Sequence, residues 1–218
     1  MTDAPSSQPP TVFVVDDDAS VRKALARLFA SLGLAVETFA GTAELSARNP
    51  RGEHGCIVLD IKMPGKTGIE FQRELKAADV ALPIVFLSAH ANVPISVQAM
   101  KDGAIDVITK PFEEQTLIDA VRRALSLHES RRRDDDRYQE IRQRFERLTP
   151  RQQTVMTFVV TGKLNKEVAA LLGTSVKTVK VHRGHVMKKM QASSLPDLVR
   201  MADRIRLPAV PDGVPKVQ

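Results

Sequence analysis

The 218-residue sequence predicts two domains: an α/β domain with a five-stranded parallel sheet flanked by five helices, then an all-α domain of four helices. Three observations predict this. Over residues 11–127, short apolar runs alternate with longer stretches whose apolar residues fall at helical spacing. Those runs are apolar almost throughout, as expected of strands covered on both faces and therefore of a parallel sheet. After Leu148 no strand-like run occurs, and the charge changes sign. Residues 1–125 carry 13 basic and 16 acidic side chains, 126–147 carry 7 and 6, and 148–218 carry 12 and 4.

The elements follow in order. Thr11–Val15 is a strand ending at Asp16, and Val21, Leu25, Leu28, Phe29 and Leu32 mark a helix stopped by Gly33. Ala35–Thr38 is a second strand and 41–48 a second helix. Ile57–Asp60 is a third strand ending in an acid, with a helix over 67–77. Ile84–Ser88 is a fourth strand, with a helix over 94–102. Asp106–Thr109 is the fifth, followed by Lys110-Pro111 and a helix from about 113. The segment 128–147 has no Gly or Pro, and reads as a charged helical linker. Its stripe Tyr138, Ile141, Phe145, Leu148 can lie on a partner helix or on the domain that follows, or the segment is simply exposed. In the last domain, 148–206, Thr149 caps a helix that has Pro150 at its first position. Asn165 is expected to cap a second, Lys166–Leu172; Ser175 opens a third, to Met190; Ser193 or Ser194 opens a fourth. The ends, 1–10 and 207–218, are rich in Pro and small residues and are expected to be disordered.

Composition excludes several classes. No run of about 20 apolar residues exists, so a membrane span is excluded. The start, MTDAPSSQPP, lacks the basic and apolar pattern of a secretory signal. One cysteine, Cys56, can form neither an internal disulfide nor a thiolate cluster. Cytoplasm is the expected location. The excess of cations in the last domain suits a polyanionic partner.

In an open parallel sheet, chemistry gathers beyond the carboxyl ends of the strands. Asp16, Asp17 and Asp18 stand there after the first strand, Asp60 after the third, Ser88 after the fourth and Lys110 after the fifth. Any one alone is compatible with a helix cap, a turn residue or a surface lysine. Together they form an acidic pocket: clustered carboxylates repel unless a cation joins them, and an all-oxygen set suits Mg²⁺. A lysine and a hydroxyl beside them are what a phosphoryl group needs, with Asp60 the natural nucleophile.

The segments VFVVDDDASVRKAL, VLDIKMPGKTGIEF, PIVFLSAH and GAIDVITKPF resemble, in that order, the signatures of a two-component response regulator receiver domain over about 11–127. The resemblance implies that Asp60 is the phosphorylated aspartate. It further implies that Asp16 and Asp17 are the acid pair, with Asp17, Asp60 and the backbone carbonyl of Ile61 on Mg²⁺. Ser88 is the hydroxyl that moves toward the phosphoryl group, and Lys110 is the family lysine. The family commonly carries Tyr or Phe three residues before that lysine; Val107 stands there and has no ring to swing. Val97 and Lys101 are the implied contacts of a phosphorylation-dependent homodimer.

In the last domain, Ala169, Leu172, Val176 and Val179 seat one helix on the next, and the second helix is strongly basic. A helix fits the major groove, and this one lacks the aromatic anchors of a membrane-surface helix. LTPRQQTVM, LNKEVAALLGTSVKTVKVHRGHVMKKM and SLPDLVRMA resemble the LuxR-type helix-turn-helix, and the whole chain resembles the FixJ/NarL class. That implies base contacts from Lys180 and Val181, and phosphate contacts from Lys177, Thr178, Arg183 and Lys188, with Asn165 and Lys166 on the backbone. Gly184 stands where larger residues are common, and Gln152 where a glutamate is. Leu195 and Leu198 of the last helix are the implied dimer contacts on DNA.

The function implied is phosphorylation-controlled transcription regulation. The partners are a sensor histidine kinase, an inverted repeat in double-stranded DNA, RNA polymerase at activated promoters, and a second copy of the chain. A nucleic-acid-binding protein indifferent to phosphorylation and an Asp-nucleophile phosphatase are the alternatives. The first is weakened by the complete acidic pocket. The second is weakened by the lack of an evident second acid for a leaving group, and it leaves the basic bundle without a role.

Overall fold

The structure is a computed structural model that describes residues 9–89 and 93–207. The expected disordered ends lie outside these residues except for Pro9, Pro10 and Leu207. Leu207 is not loose: its amide donates to Ala202 O (3.1 Å) and it packs on the second core. The chain divides between Arg132 and Arg133 into two compact units.

The first unit holds β1 (Thr11–Val15), α1 (Ala19–Ser31), β2 (Ala35–Phe39), α2 (Thr42–Arg48) and β3 (Gly55–Asp60). It continues with α3 (Gly68–Ala77), β4 (Ile84–Ser88), α4 (Val93–Lys101), β5 (Asp106–Thr109) and the start of α5 (Glu114–Glu146). The strands form one parallel sheet in the order β2-β1-β3-β4-β5. Alternate residues of each strand enter opposite cores. Phe13, Ile57, Leu59 and Phe86 join Leu45, Phe71 and Ala99 of α2, α3 and α4. Val12, Val14, Val58, Val85 and Ile108 join Phe29 of α1 and Leu117 and Val121 of α5. Each such buried aliphatic or aromatic side chain contributes about 1.5–3 kcal/mol.

The third strand starts at Gly55, two residues before the predicted Ile57, and so takes in Cys56. A Cβ at Gly55 would stand 1.9 Å from Thr11 O, so only glycine lets β3 run this close to β1. Burial of Cys56 pushes its thiol up to about 12, which leaves it unreactive at neutral pH.

The charged linker is a continuation of α5, which reaches Glu146 as one helix. The second unit holds the end of α5 with α6 (Pro150–Val160), α7 (Asn165–Leu171), α8 (Val176–Met190) and α9 (Leu195–Arg204). The stripe is resolved in favour of the following domain: Ile141 and Leu148 are buried in that unit's core and Phe145 packs on it. Thr149, Ser175 and Ser194 cap α6, α8 and α9. Asn165 does not cap α7. It is the helix's first residue; Leu164 is the cap, with its amide held by the Glu167 carboxylate (2.6 Å). Among the described residues no helix is long and apolar enough to cross a membrane.

Candidate functional site

The strand order places the point where the chain reverses direction between β1 and β3, where such sheets open a crevice. Asp16 follows β1 and Asp60 ends β3 on the adjacent strand. Their side chains and that of Asp17 each offer an oxygen within 4.8 Å of the others. Asp16 is wholly buried, and both its oxygens are engaged: Oδ1 accepts the Asp18 amide (2.9 Å), Oδ2 the Lys110 ammonium (2.7 Å). Lys110 also donates to Asp60 Oδ2 (3.1 Å), so one cation bridges two buried carboxylates. Asp60 Oδ1 accepts only the longer bond from the Lys62 amide (3.3 Å).

Burial raises the Asp60 pKa, helped by the Asp16 charge and opposed by Lys110. For Lys110, burial works against the charge, but the bond to Asp16 and the charges of Asp60 and Asp16 outweigh it and raise its pKa. Ser88 is buried at the end of β4, and its carbonyl accepts the Lys110 amide (2.7 Å). Of the six residues predicted for the pocket, Asp16, Asp17, Asp60 and Lys110 come together, and Ser88 stands at the same edge of the sheet. Asp18 is the α1 cap, its carboxylate accepting the Ser20 amide (2.7 Å), which lowers its pKa. The donor set is all oxygen, and Asp16, Asp17 and Asp60 together fit a hard divalent cation.

The Ile61 carbonyl accepts the Gly68 amide (3.0 Å), which closes the β3–α3 loop. A Cβ at Gly68 would meet Asp60 O at 2.4 Å, so glycine is required for this closure. Sequence reasoning missed Gly68, although it lies in the MPGKTG stretch, and missed Arg22. The Arg22 guanidinium donates to the carbonyls of Asp16 (2.6 Å) and Asp17 (2.9 Å). Val107 packs on the first core. On α4, Val93 (69% exposed), Val97 (46%) and Met100 (47%) leave an apolar face uncovered, with Lys101 also exposed.

In the second unit α8 presents Lys177, Lys180, Val181, Gly184 and Lys188 to solvent, and Val181 is 50% exposed. Val179 and Val186 lie in the core. Lys166 is exposed. Arg183 is half-buried and donates to Asn165 Oδ1 (3.4 Å), bracing α8 on α7. Thr178 shares a hydroxyl contact with the cap residue Ser175 (2.9 Å). Leu198 is corrected: it is 0% exposed and fills its own bundle, whereas Leu195 packs on that core with part of its side chain exposed. The exposed residues of α9 include Arg200, Asp203 and Arg204 instead.

Gln152 is buried and links two helices: its side-chain oxygen accepts the Thr149 amide (3.1 Å) and the Lys189 ammonium (2.9 Å). A carboxylate there would make both bonds charge-assisted at a helix N-terminus. Gln152→Glu is therefore expected to stabilise the second unit by about 0.5–1 kcal/mol, less at high salt. Denaturant unfolding at low and high salt checks this; a loss of stability at both would refute it.

Comparison with known proteins agrees with both sites. Residues 12–122 match the response regulator receiver domain, and 146–202 match the bacterial regulatory proteins of the luxR family. Nodulation protein W of Bradyrhizobium diazoefficiens is 44% identical over 198 residues, covering 91% of this chain and 87% of that one. Transcriptional regulatory protein FixJ of Azorhizobium caulinodans is 41% identical over 198 residues, covering 91% and 93%. The solved structure of the response regulator StyR superposes with a TM-score of 0.83 at 44% identity, covering 90% of this chain and all (100%) of that one. The receiver match spans the acid cluster at the carboxyl edge of the sheet, and the luxR match spans the basic helix α8. The chain belongs to the two-component response regulators of the FixJ/NarL type, in which a phosphoacceptor receiver controls a LuxR-type helix-turn-helix domain.

Proposed function

We propose that Asp60 accepts a phosphoryl group from a sensor histidine kinase in the presence of Mg²⁺, and that the modified chain dimerises and activates transcription from an inverted repeat. The observation that carries this reading is the Lys110 ammonium shared between Asp16 and Asp60 at 2.7 and 3.1 Å. A carboxylate oxygen of Asp60 forms the new P–O bond as the P–N bond to the donor histidine breaks, and the pair of electrons leaves with the imidazole. Asp17 and Asp60, with the backbone carbonyl of Ile61, would hold Mg²⁺. The ion neutralises charge on the phosphoryl oxygens when bound. Lys110 and Ser88 take the remaining oxygens. The catalytic set is thus Asp60, Ser88 and Lys110.

Val107 offers no ring to swing, so the output runs through α4, whose exposed Val97 and Lys101 form the phosphorylation-dependent contact. Residues 90–92, before α4, lie outside the described residues. In the DNA-binding module, which we extend back to Arg133 because Ile141 belongs to its core, Lys180 and Val181 read bases. Lys166, Lys177, Thr178 and Lys188 touch phosphates, and Arg183 and Asn165 support the helix that does so.

Selection from randomised duplex DNA tests this, with the chain treated with acetyl phosphate and Mg²⁺ beside Asp60→Asn. Enrichment of an inverted repeat by the treated wild type alone is expected. Equal enrichment by Asp60→Asn would refute the switch, and no enrichment would refute specific binding.

A further inference from the structure

Asp17 is the one member of the acid cluster whose carboxylate has no hydrogen bond or ion pair among the described residues. Asp16 is held at both oxygens, and Asp60 by Lys62 and Lys110. Asp17 is also exposed, so no packing directs it. Its backbone is nevertheless tightly held, by a residue outside the pocket. One nitrogen of the Arg22 guanidinium donates to the carbonyl of Asp16 at 2.6 Å and to the carbonyl of Asp17 at 2.9 Å. A carbonyl lies in the plane of the peptide that follows it. Fixing these two oxygens therefore fixes both peptide planes flanking the Asp17 α-carbon, and with them the direction of its Cα–Cβ bond. Arg22 can do this because α1 starts at Ala19, capped by Asp18, which brings the first turn of the helix back over the end of β1.

We infer that Arg22 is a positioning residue that pre-orients Asp17 for Mg²⁺. This rests on the proposed reading of the pocket. Without Arg22 the Asp16–Asp17–Asp18 turn must be ordered at the moment of metal binding, at a cost to affinity. With it, the turn is ordered beforehand. The prediction is specific to the metal: once Mg²⁺ saturates the site, Asp60 should react as in the wild type.

The test is calorimetric titration of Mg²⁺ into the full chain, paired with the rate of modification by acetyl phosphate across a Mg²⁺ series. Wild type, Arg22→Met, Arg22→Gln and Arg22→Lys are compared. For Met and Gln the Mg²⁺ dissociation constant is expected to rise about tenfold, about 1.4 kcal/mol. The modification curve should shift by the same factor along the Mg²⁺ axis and reach the wild-type plateau. Lys, with three donors at its tip, should recover part of the loss. A lowered plateau with an unmoved Mg²⁺ midpoint would overturn the inference, as would a higher half-saturating acetyl phosphate concentration at unchanged Mg²⁺ affinity, which would make Arg22 a donor contact. If the wild type itself shows no Mg²⁺ saturation, the reading of the pocket fails and the inference with it. If wild type binds and all three variants bind equally well, only the inference fails.

Discussion

Asp60→Asn is expected to abolish modification by acetyl phosphate and, at the same time, to make the receiver more stable at neutral pH. The first effect follows from chemistry: the amide lacks the anionic oxygen that forms the P–O bond. The second follows from burial, which is the main reason that the Asp60 pKa is raised, with Asp16 adding to it and Lys110 opposing it. Between the ordinary aspartate range and the raised value, the folded state holds more protons than the unfolded state. Stability therefore falls as pH rises through that window, and the whole cost is present above the raised value. Replacing the carboxylate by its neutral isostere removes that cost, while Lys110 keeps its shorter bond to Asp16 (2.7 Å). A gain on the order of 1 kcal/mol is expected, of the kind seen when a functional site is relieved of its strain. The gain should vanish in acid, below the ordinary aspartate range, where wild-type Asp60 is protonated in both states. Intact-mass measurement reads the first effect, and urea unfolding across a pH series reads the second. An Asn variant less stable than wild type at pH 7 would show that the Lys110 bridge outweighs burial.

What the sequence made legible was whatever depends on local pattern. Near-continuous apolar strands ending in Asp16, Asp60 and Ser88 could be placed to within two residues, because both faces of each strand are covered and each ends where it meets water. The pocket followed, since parallel strands bring their carboxyl ends to one edge. Features decided by tertiary contact were harder to read. Leu198 has the spacing of an exposed stripe as much as of a core, and only the packing of α9 in its own bundle shows it to be core. Asn165 is a good cap residue by type, but Glu167 reaches the Leu164 amide and sets the start of α7 one residue earlier than expected. The Ile61 carbonyl accepts the amide of Gly68, seven positions along, through a loop whose path no periodicity records. Arg22 was missed because its partners are backbone carbonyls, which carry no signature in the sequence.

Ile141→Ala is expected to destabilise the DNA-binding unit by about 2–3 kcal/mol, although the residue lies before the region that resembles the LuxR-type domain. The end of α5 is built into that unit. Ile141 and Leu148 are buried in its core, and hydrogen bonds fasten the segment to the bundle. Arg144 donates to Met190 O (3.3 Å) at the end of α8, Gln153 donates to Phe145 O (3.3 Å), and Lys189 donates to Arg147 O (3.1 Å). A four-helix bundle of α6–α9 alone is small for one core, and the fifth segment supplies apolar area that it otherwise lacks. Removing three methyl or methylene groups at Ile141 both forfeits burial and leaves a cavity, because the neighbours sit on rigid helices and cannot fully close it. The lower part of the usual range is expected since the side chain retains 9% exposure. Tyr138, 37% exposed on the same stripe, serves as the control, with a loss below about 1 kcal/mol expected for Tyr138→Ala. Urea unfolding of the full chain, followed by helical signal, reads both variants, and modification of Asp60 by acetyl phosphate should be unchanged in each. Equal small losses at the two positions would mean that α5 past Arg133 is a solvated spacer. A large loss at Ile141 alone would mean that the helix leaving the receiver is itself a structural part of the domain it controls, so that the recognition helix α8 stays anchored to it through Met190.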